Sequence, residues 1–190
     1  MVDYLGSSLE LVKSYYEVSP VKVVFVKDYK GLPTTAGILN ARRGDEIELP
    51  RWQARLLKEE GVVEYKERAV DIDYVNLVHY HEVKKTAANT LMDVPDDFYL
   101  KVKELVEDLD RRIRENPGYM LFQDRENVER AILQISERRL AKMVRLALSG
   151  GGEEVRGRLT IEESLIYSMI EGLVNSWKEY ISSLTSRRAS

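Results

Sequence analysis

The chain has 190 residues, 44% of them hydrophobic and 32% charged, with a formal net charge of −3 and no cysteine. That composition excludes bulk disorder, a disulfide framework and a thiolate metal site, and so mild a charge sets up no global field for nucleic acid. No basic start followed by an apolar run appears at Met1-Val2-Asp3-Tyr4, so no signal peptide is expected, and no apolar run reaches membrane-spanning length.

Leu5, Leu9, Val12 and Tyr16 recur at helical spacing and predict a short amphipathic helix over 6–16, stopped by Ser19-Pro20. The β-branched run from Val21 to Val26 predicts a strand, and Lys30-Gly31-Leu32-Pro33 a turn. Thr34 to Leu39 then reads as a second strand and Glu46 to Leu49, after the Arg43-Gly44-Asp45 turn, as a third. Pro50 suits the first turn of a helix, where its missing N–H costs nothing. That helix is expected to turn Trp52, Leu56 and Leu57 inward and to end at Gly61, before a last strand over 62–66.

Residues 70–73 form a junction too short for a flexible linker, and 74–89 reads as helix. Pro95 with Asp96 and Asp97 starts another helix, since carboxylates favour the positive end of the helix dipole. It carries Phe98, Val102, Leu105, Leu109 and Ile113 on one face and stops at Asn116-Pro117-Gly118. A further helix covers 124–148, and a mobile loop is expected near 149–158. The last helix starts at Thr160, with Glu163 completing a capping box, and a short tail ends the chain. The expected fold is α+β: a small β-rich domain with an N-terminal helix over 1–69, then a larger all-α helical bundle over 70–190.

At about 100° per residue, the last helix spreads Leu165, Ile166, Met169, Ile170, Leu173, Val174, Trp177, Ile181 and Leu184 over an arc of roughly 180°. A simple surface helix needs a stripe nearer about 100°. Either this helix is central in its own bundle, or one edge of the arc, with Ile166, Ile170, Leu173, Val174, Trp177 and Ile181, is a subunit interface.

The chain carries no phosphate-binding loop, nucleophile elbow or H-E-x-x-H pair, and two acids follow Gly150-Gly151-Gly152, which disfavours a phosphate there. His79 and His81 point to different sides of a helix and lack a third ligand, so no metal site, cofactor or catalytic residue is assigned. Arg138, Lys142 and Arg145 fall within roughly 60° on one helical face and form a candidate basic contact face. It is either solvated or paired with carboxylates elsewhere in the fold, or it contacts phosphates or an acidic partner, as in an independent nucleic-acid-binding module. Arg139 lies nearer the apolar side.

Two stretches go beyond generic architecture. The run from Gly44 through Leu49-Pro50-Arg51-Trp52-Gln53-Ala54 to Leu57, with Gly61-Val62-Val63 after it, resembles the "G-D-x-x-x-L-P-x-W-x-A-x-x-L…G-x-V" pattern of the small β-domain in GINS subunits. Glu82, Leu91, Pro95 and Asp97-Phe98-Tyr99 are similar to the "E…L…P-x-D-F-Y" passage that enters the GINS helical domain. Arg138 to Ala147 is similar to its "R-R-x-x-K-x-x-R-L-A" helix, and Leu159 to Glu163 with Tyr167 resembles its last-helix start. The glycines after Ser149 depart from the pattern.

The resemblance is to the β-first, archaeal type of subunit. It implies a non-catalytic accessory of the MCM replicative helicase, joined with a helix-first GINS subunit in a tetramer. A RecJ-like protein and primase would be further partners. It also implies a cytoplasmic, chromosome-associated protein with weak or absent direct contact to nucleic acid, and an assembly role for the apolar arc.

Overall fold

The computed structural model describes residues 2–34, 37–85, 90–150 and 153–185. They fall into two compact units, one over Leu9–Ala69 and one from Val70 onward together with the residues up to Ser8.

The first unit is built on two antiparallel sheets. Helix α1 (Val2–Val18) precedes strand β1 (Pro20–Phe25), which sits between β4 (Glu46–Pro50) and β5 (Val63–Tyr65) in a three-stranded sheet. Val21 lies opposite Leu49 and Phe25 opposite Val63. The two-residue period of a strand then sends Val21, Val23 and Phe25 into the core while Lys22 faces out. A separate hairpin pairs β2 (Tyr29–Thr34) with β3 (Gly37–Ala41). Residues 30–33, expected as a turn, are therefore strand. Proline lacks the N–H a ladder needs, but an outer hairpin strand tolerates that loss, and Leu32 supplies a buried anchor. The second expected strand is split, its centre at Thr35 and Ala36 lying outside the described residues.

Helix α2 (Arg51–Glu59) starts after Pro50 as expected, and Gly61, at φ 64°, takes the left-handed conformation past its end. Its inner face is different. Ala54 and Leu57 are buried, whereas Trp52 and Leu56 are exposed, at 44% and 51%. At about 100° per residue those two lie roughly 160° to either side of Ala54, so a helix seated on its alanine cannot bury them. Arg51 is instead buried, its guanidinium 4.3 Å over the Tyr16 ring and 2.7 Å from Glu67.

The second unit is helical. Asp71 accepts the Tyr74 N–H at 2.8 Å and caps α3 (Ile72–His79), which continues as a π-helical segment, Tyr80–Lys85. The rest of the expected 74–89 helix lies outside the described residues. Next come α4 (Phe98–Glu115) and α5 (Tyr119–Ser149), parted by the expected breaker at Asn116-Pro117-Gly118. Helix α5 is longer than predicted and ends on Gly150 at φ 78°. Part of the expected loop is ordered: α6 (Glu153–Arg156) and the segment after it bury Val155 and Leu159, while Gly151 and Gly152 lie outside the described residues. Helix α7 (Ile161–Thr185) is last, and the expected tail beyond it also lies outside the described residues. One core cluster gathers Val75, Val78, Phe98, Val102, Leu109, Val128 and Ile135 from α3, α4 and α5. Another gathers Leu91, Met143, Leu146, Val155, Leu159 and Tyr167 around the first half of α7.

The exposed and buried faces of α2 give a direct test. Trp52→Ala is expected to change unfolding free energy by less than about 0.5 kcal/mol, and Leu57→Ala to cost about 2–5 kcal/mol, in urea denaturation. The reverse order would mean α2 is rotated.

Candidate assembly surface

The second unit is organised around a buried set of charges. Arg139, on α5, has no exposed surface, and all five of its guanidinium N–H groups are used. Nε donates to Glu163 Oε1 at 2.7 Å and one terminal nitrogen to Glu163 Oε2 at 2.8 Å, a two-pronged grip on one carboxylate. The other terminal nitrogen donates to Glu82 Oε1 at 2.7 Å and to the Met92 carbonyl at 2.9 Å. The remaining hydrogen reaches the Arg158 carbonyl at 2.7 Å. Lys142, one turn further along α5, pairs with the second Glu82 oxygen. Burial disfavours the Arg139 charge, but Glu163 and Glu82 outweigh it and hold the guanidinium above its ordinary range.

The carboxylates are as fully engaged as the guanidinium. Glu82 Oε1 also accepts the Met92 N–H at 2.7 Å, and Glu163 Oε1 accepts the Tyr99 hydroxyl at 2.7 Å. Burial, with Glu163 adding to it, raises the Tyr99 phenol well above its usual range. The capping box forms as the sequence predicts: Thr160 N–H donates to Glu163 at 3.1 Å and Glu163 N–H to Thr160 Oγ1 at 3.3 Å. Two acids and two bases leave this interior with no net charge.

This geometry places the predicted basic face. Lys142 is 4% exposed with its ammonium on Glu82, so it is no part of an accessible face; Arg138 and Arg145 are exposed. The pairing with carboxylates elsewhere in the fold is what Lys142 adopts. His79 shares a 2.6 Å contact with Gln134, and His81 packs edge-on to Tyr80. Among the described residues no cluster of His, Asp and Glu fit to hold a metal appears.

Helix α7 carries the candidate surface. Its first half is locked in by Glu163 and the fully buried Tyr167, and Ile170 and Val174 pack against the adjacent core cluster. The second half is exposed: Leu173 at 70%, Trp177 at 62%, Tyr180 at 57%, Leu184 at 64%, with Ile181 at 39%. Trp177 and Tyr180 are ring neighbours at 6.0 Å. At about 100° per residue, Glu162, Ile166, Leu173, Trp177, Tyr180 and Leu184 fall within roughly 60° of one line along the helix. Of the six residues read from sequence as an interface, Leu173 and Trp177 lie exposed on this ridge. Ile166 lines a cleft at its start, Ile181 lies off the ridge, and Ile170 and Val174 face the bundle. Tyr180, on the same ridge, and the exposed Leu140, Val144 and Leu148 of α5 were not among the residues read from sequence. The spacing of those three at four-residue steps was the available signal.

A family model described as GINS complex protein helical bundle domain (Sld5) matches residues 69–182, about three fifths of the chain. The chain belongs to the GINS family. Among curated proteins none matches it. The GINS match spans the charged network from Glu82 to Glu163 and nearly all of α7, while the strands of the first unit precede it. No helix among the described residues is long and apolar enough to cross a membrane.

Arg139→Ala is expected to destabilise the helical unit by about 3–5 kcal/mol, because Glu82 and Glu163 would be left buried without it. Arg139→Lys should recover little of that, since an ammonium has three donors and no fork. Chemical denaturation of both variants checks the ranking, and full recovery by lysine would show that only charge matters.

Proposed function

We propose that the chain is the β-first subunit of a GINS complex, a non-catalytic replication scaffold whose working part is a protein-binding surface. The observation that carries this reading is the α7 ridge of Leu173, Trp177, Tyr180 and Leu184, left uncovered by the described chain. Fully burying a large apolar side chain is worth about 1.5–3 kcal/mol, so leaving four in water forgoes an energy comparable to the stability of a whole domain. Contiguous exposed apolar surface on this scale marks an interaction site. The helix-first GINS subunit is its occupant in this reading, joined with this chain in a tetramer.

The order of units, β-containing and then helical, supports the β-first assignment. In the same reading the assembled complex scaffolds and activates the MCM helicase, in an archaeal cytoplasm at the chromosome. A RecJ-like protein and primase are its further partners. Direct contact with nucleic acid is weak or absent: with Lys142 paired to Glu82, the basic face offers phosphates fewer charges than its sequence suggests.

Size-exclusion chromatography with light scattering, on the chain alone and with a purified helix-first subunit, tests the assembly. The mixture is expected to elute as one complex. Leu173→Asp with Trp177→Asp should abolish it while changing the unfolding free energy of the isolated chain by less than about 1 kcal/mol. A monodisperse monomer that ignores the partner would overturn the reading.

A further inference from the structure

A cleft of about 190 Å³ opens at the start of the α7 ridge. Tyr99 of α4, Ser136, Leu140 and Met143 of α5 and Ile166 of α7 wall it, with three carboxylates, Glu137, Glu162 and Glu163, also on its lining. One of the three is already neutralised: Glu163 is held by Arg139, Tyr99 and its own helix cap. Glu162 differs. Its Oε2 atom is buried and has no hydrogen-bond partner among the described residues. Burial raises the Glu162 carboxyl above its ordinary range, outweighing hydrogen bonds from its own backbone N–H and the Thr160 side chain, and the nearby charges of Glu163 and Asp97 add to the rise. A buried acceptor without a donor is costly, more so when charged, and a binding partner that supplies the donor relieves that cost.

The chemistry of that donor follows from the lining. Apolar walls suit an alkyl stem, and no basic side chain lines the cleft, so what completes it is a cation on a long aliphatic arm. Glu162 and Ile166 stand on the same line of α7 as Leu173, Trp177 and Leu184, so a subunit seated on the ridge passes over the cleft.

We propose that this cleft receives one arginine or lysine side chain of the partner subunit, its stem against Leu140, Met143 and Ile166 and its charged end on Glu162 and Glu137. The proposal rests on the reading of α7 as the assembly surface. It makes the contact a lock of register: the ridge supplies adhesion along the helix, and the single charge pair fixes where along it the partner sits.

Titration calorimetry of the full chain with the purified helix-first subunit tests it. Glu162→Gln is expected to weaken binding at least about tenfold and E162K more, with both isolated variants melting close to the parent chain. Reversing the charge of one basic residue on the partner should restore binding to E162K. A photo-crosslinker in place of Leu140 should trap a partner peptide centred on that residue. Unchanged affinity for both Glu162 variants overturns the cleft proposal, as does a crosslinked peptide without arginine or lysine, or a crosslink to residues 186–190 of the same chain. The two readings fail separately: loss of binding in the Leu173 and Trp177 variant alone keeps the ridge and removes the cleft. Loss in the Glu162 variants alone does the opposite.

Discussion

One guanidinium holds the helical unit together. Arg139 is reached by the π-helical segment through Glu82, by the loop after it through Met92, by the segment before α7 through Arg158, and by α7 itself through Glu163. Few side chains could do this. Five donors in a plane can serve two carboxylates and two carbonyls together, and an arginine does not escape by losing its proton. The cost is the burial of four charged groups, which an apolar set of the same volume would avoid. What the charges supply is angular precision. A methyl-lined contact tolerates a rotated or shifted helix, whereas a two-pronged grip on Glu163 sets both the start of α7 and its rotation. The ridge and the cleft point where they do because of that grip.

The capping box shows how local and distant constraints meet. Thr160 and Glu163 satisfy each other across one turn, a purely local signal. The same Glu163 oxygens also accept from Arg139, 24 residues earlier, and from Tyr99, 64 residues earlier. A residue that starts the helix is thus also the one that anchors it. The scattered resemblance to GINS subunits has the same origin. Glu82, Leu91, Tyr99, Arg139, Lys142, Thr160 and Glu163 look unrelated along the chain, and in space they make up one network or lie beside it.

That convergence also explains what the sequence could and could not disclose. The capping box, the breaker at Asn116-Pro117-Gly118, the glycine after α2 and the order of strands and helices were readable because each depends on neighbours a few residues away. The fate of Lys142 was left open for the opposite reason. Periodicity puts it beside Arg138 and Arg145, but its fate is decided by Glu82, 60 residues distant, and no spacing rule within α5 contains that carboxylate. Trp52 and Leu56 were misread through size: the largest apolar residues were assumed to face inward, when the small Ala54 is what lets α2 approach the sheet. The apolar arc of α7 was legible in extent. Which of its edges the bundle uses was not, because that follows from the rotation set by Arg139.

The exposed half of α7 has a consequence for the life of the chain before assembly. Leucine, tryptophan and tyrosine side by side on an uncovered helix look, to a chaperone or a protease, much like part of an unfolded chain. A copy made in excess of its partner would therefore be the one that aggregates or is removed. If α7 is the assembly surface proposed above, the same ridge would in this way keep the supply of subunits in balance, with stoichiometry enforced by solubility rather than by any separate signal.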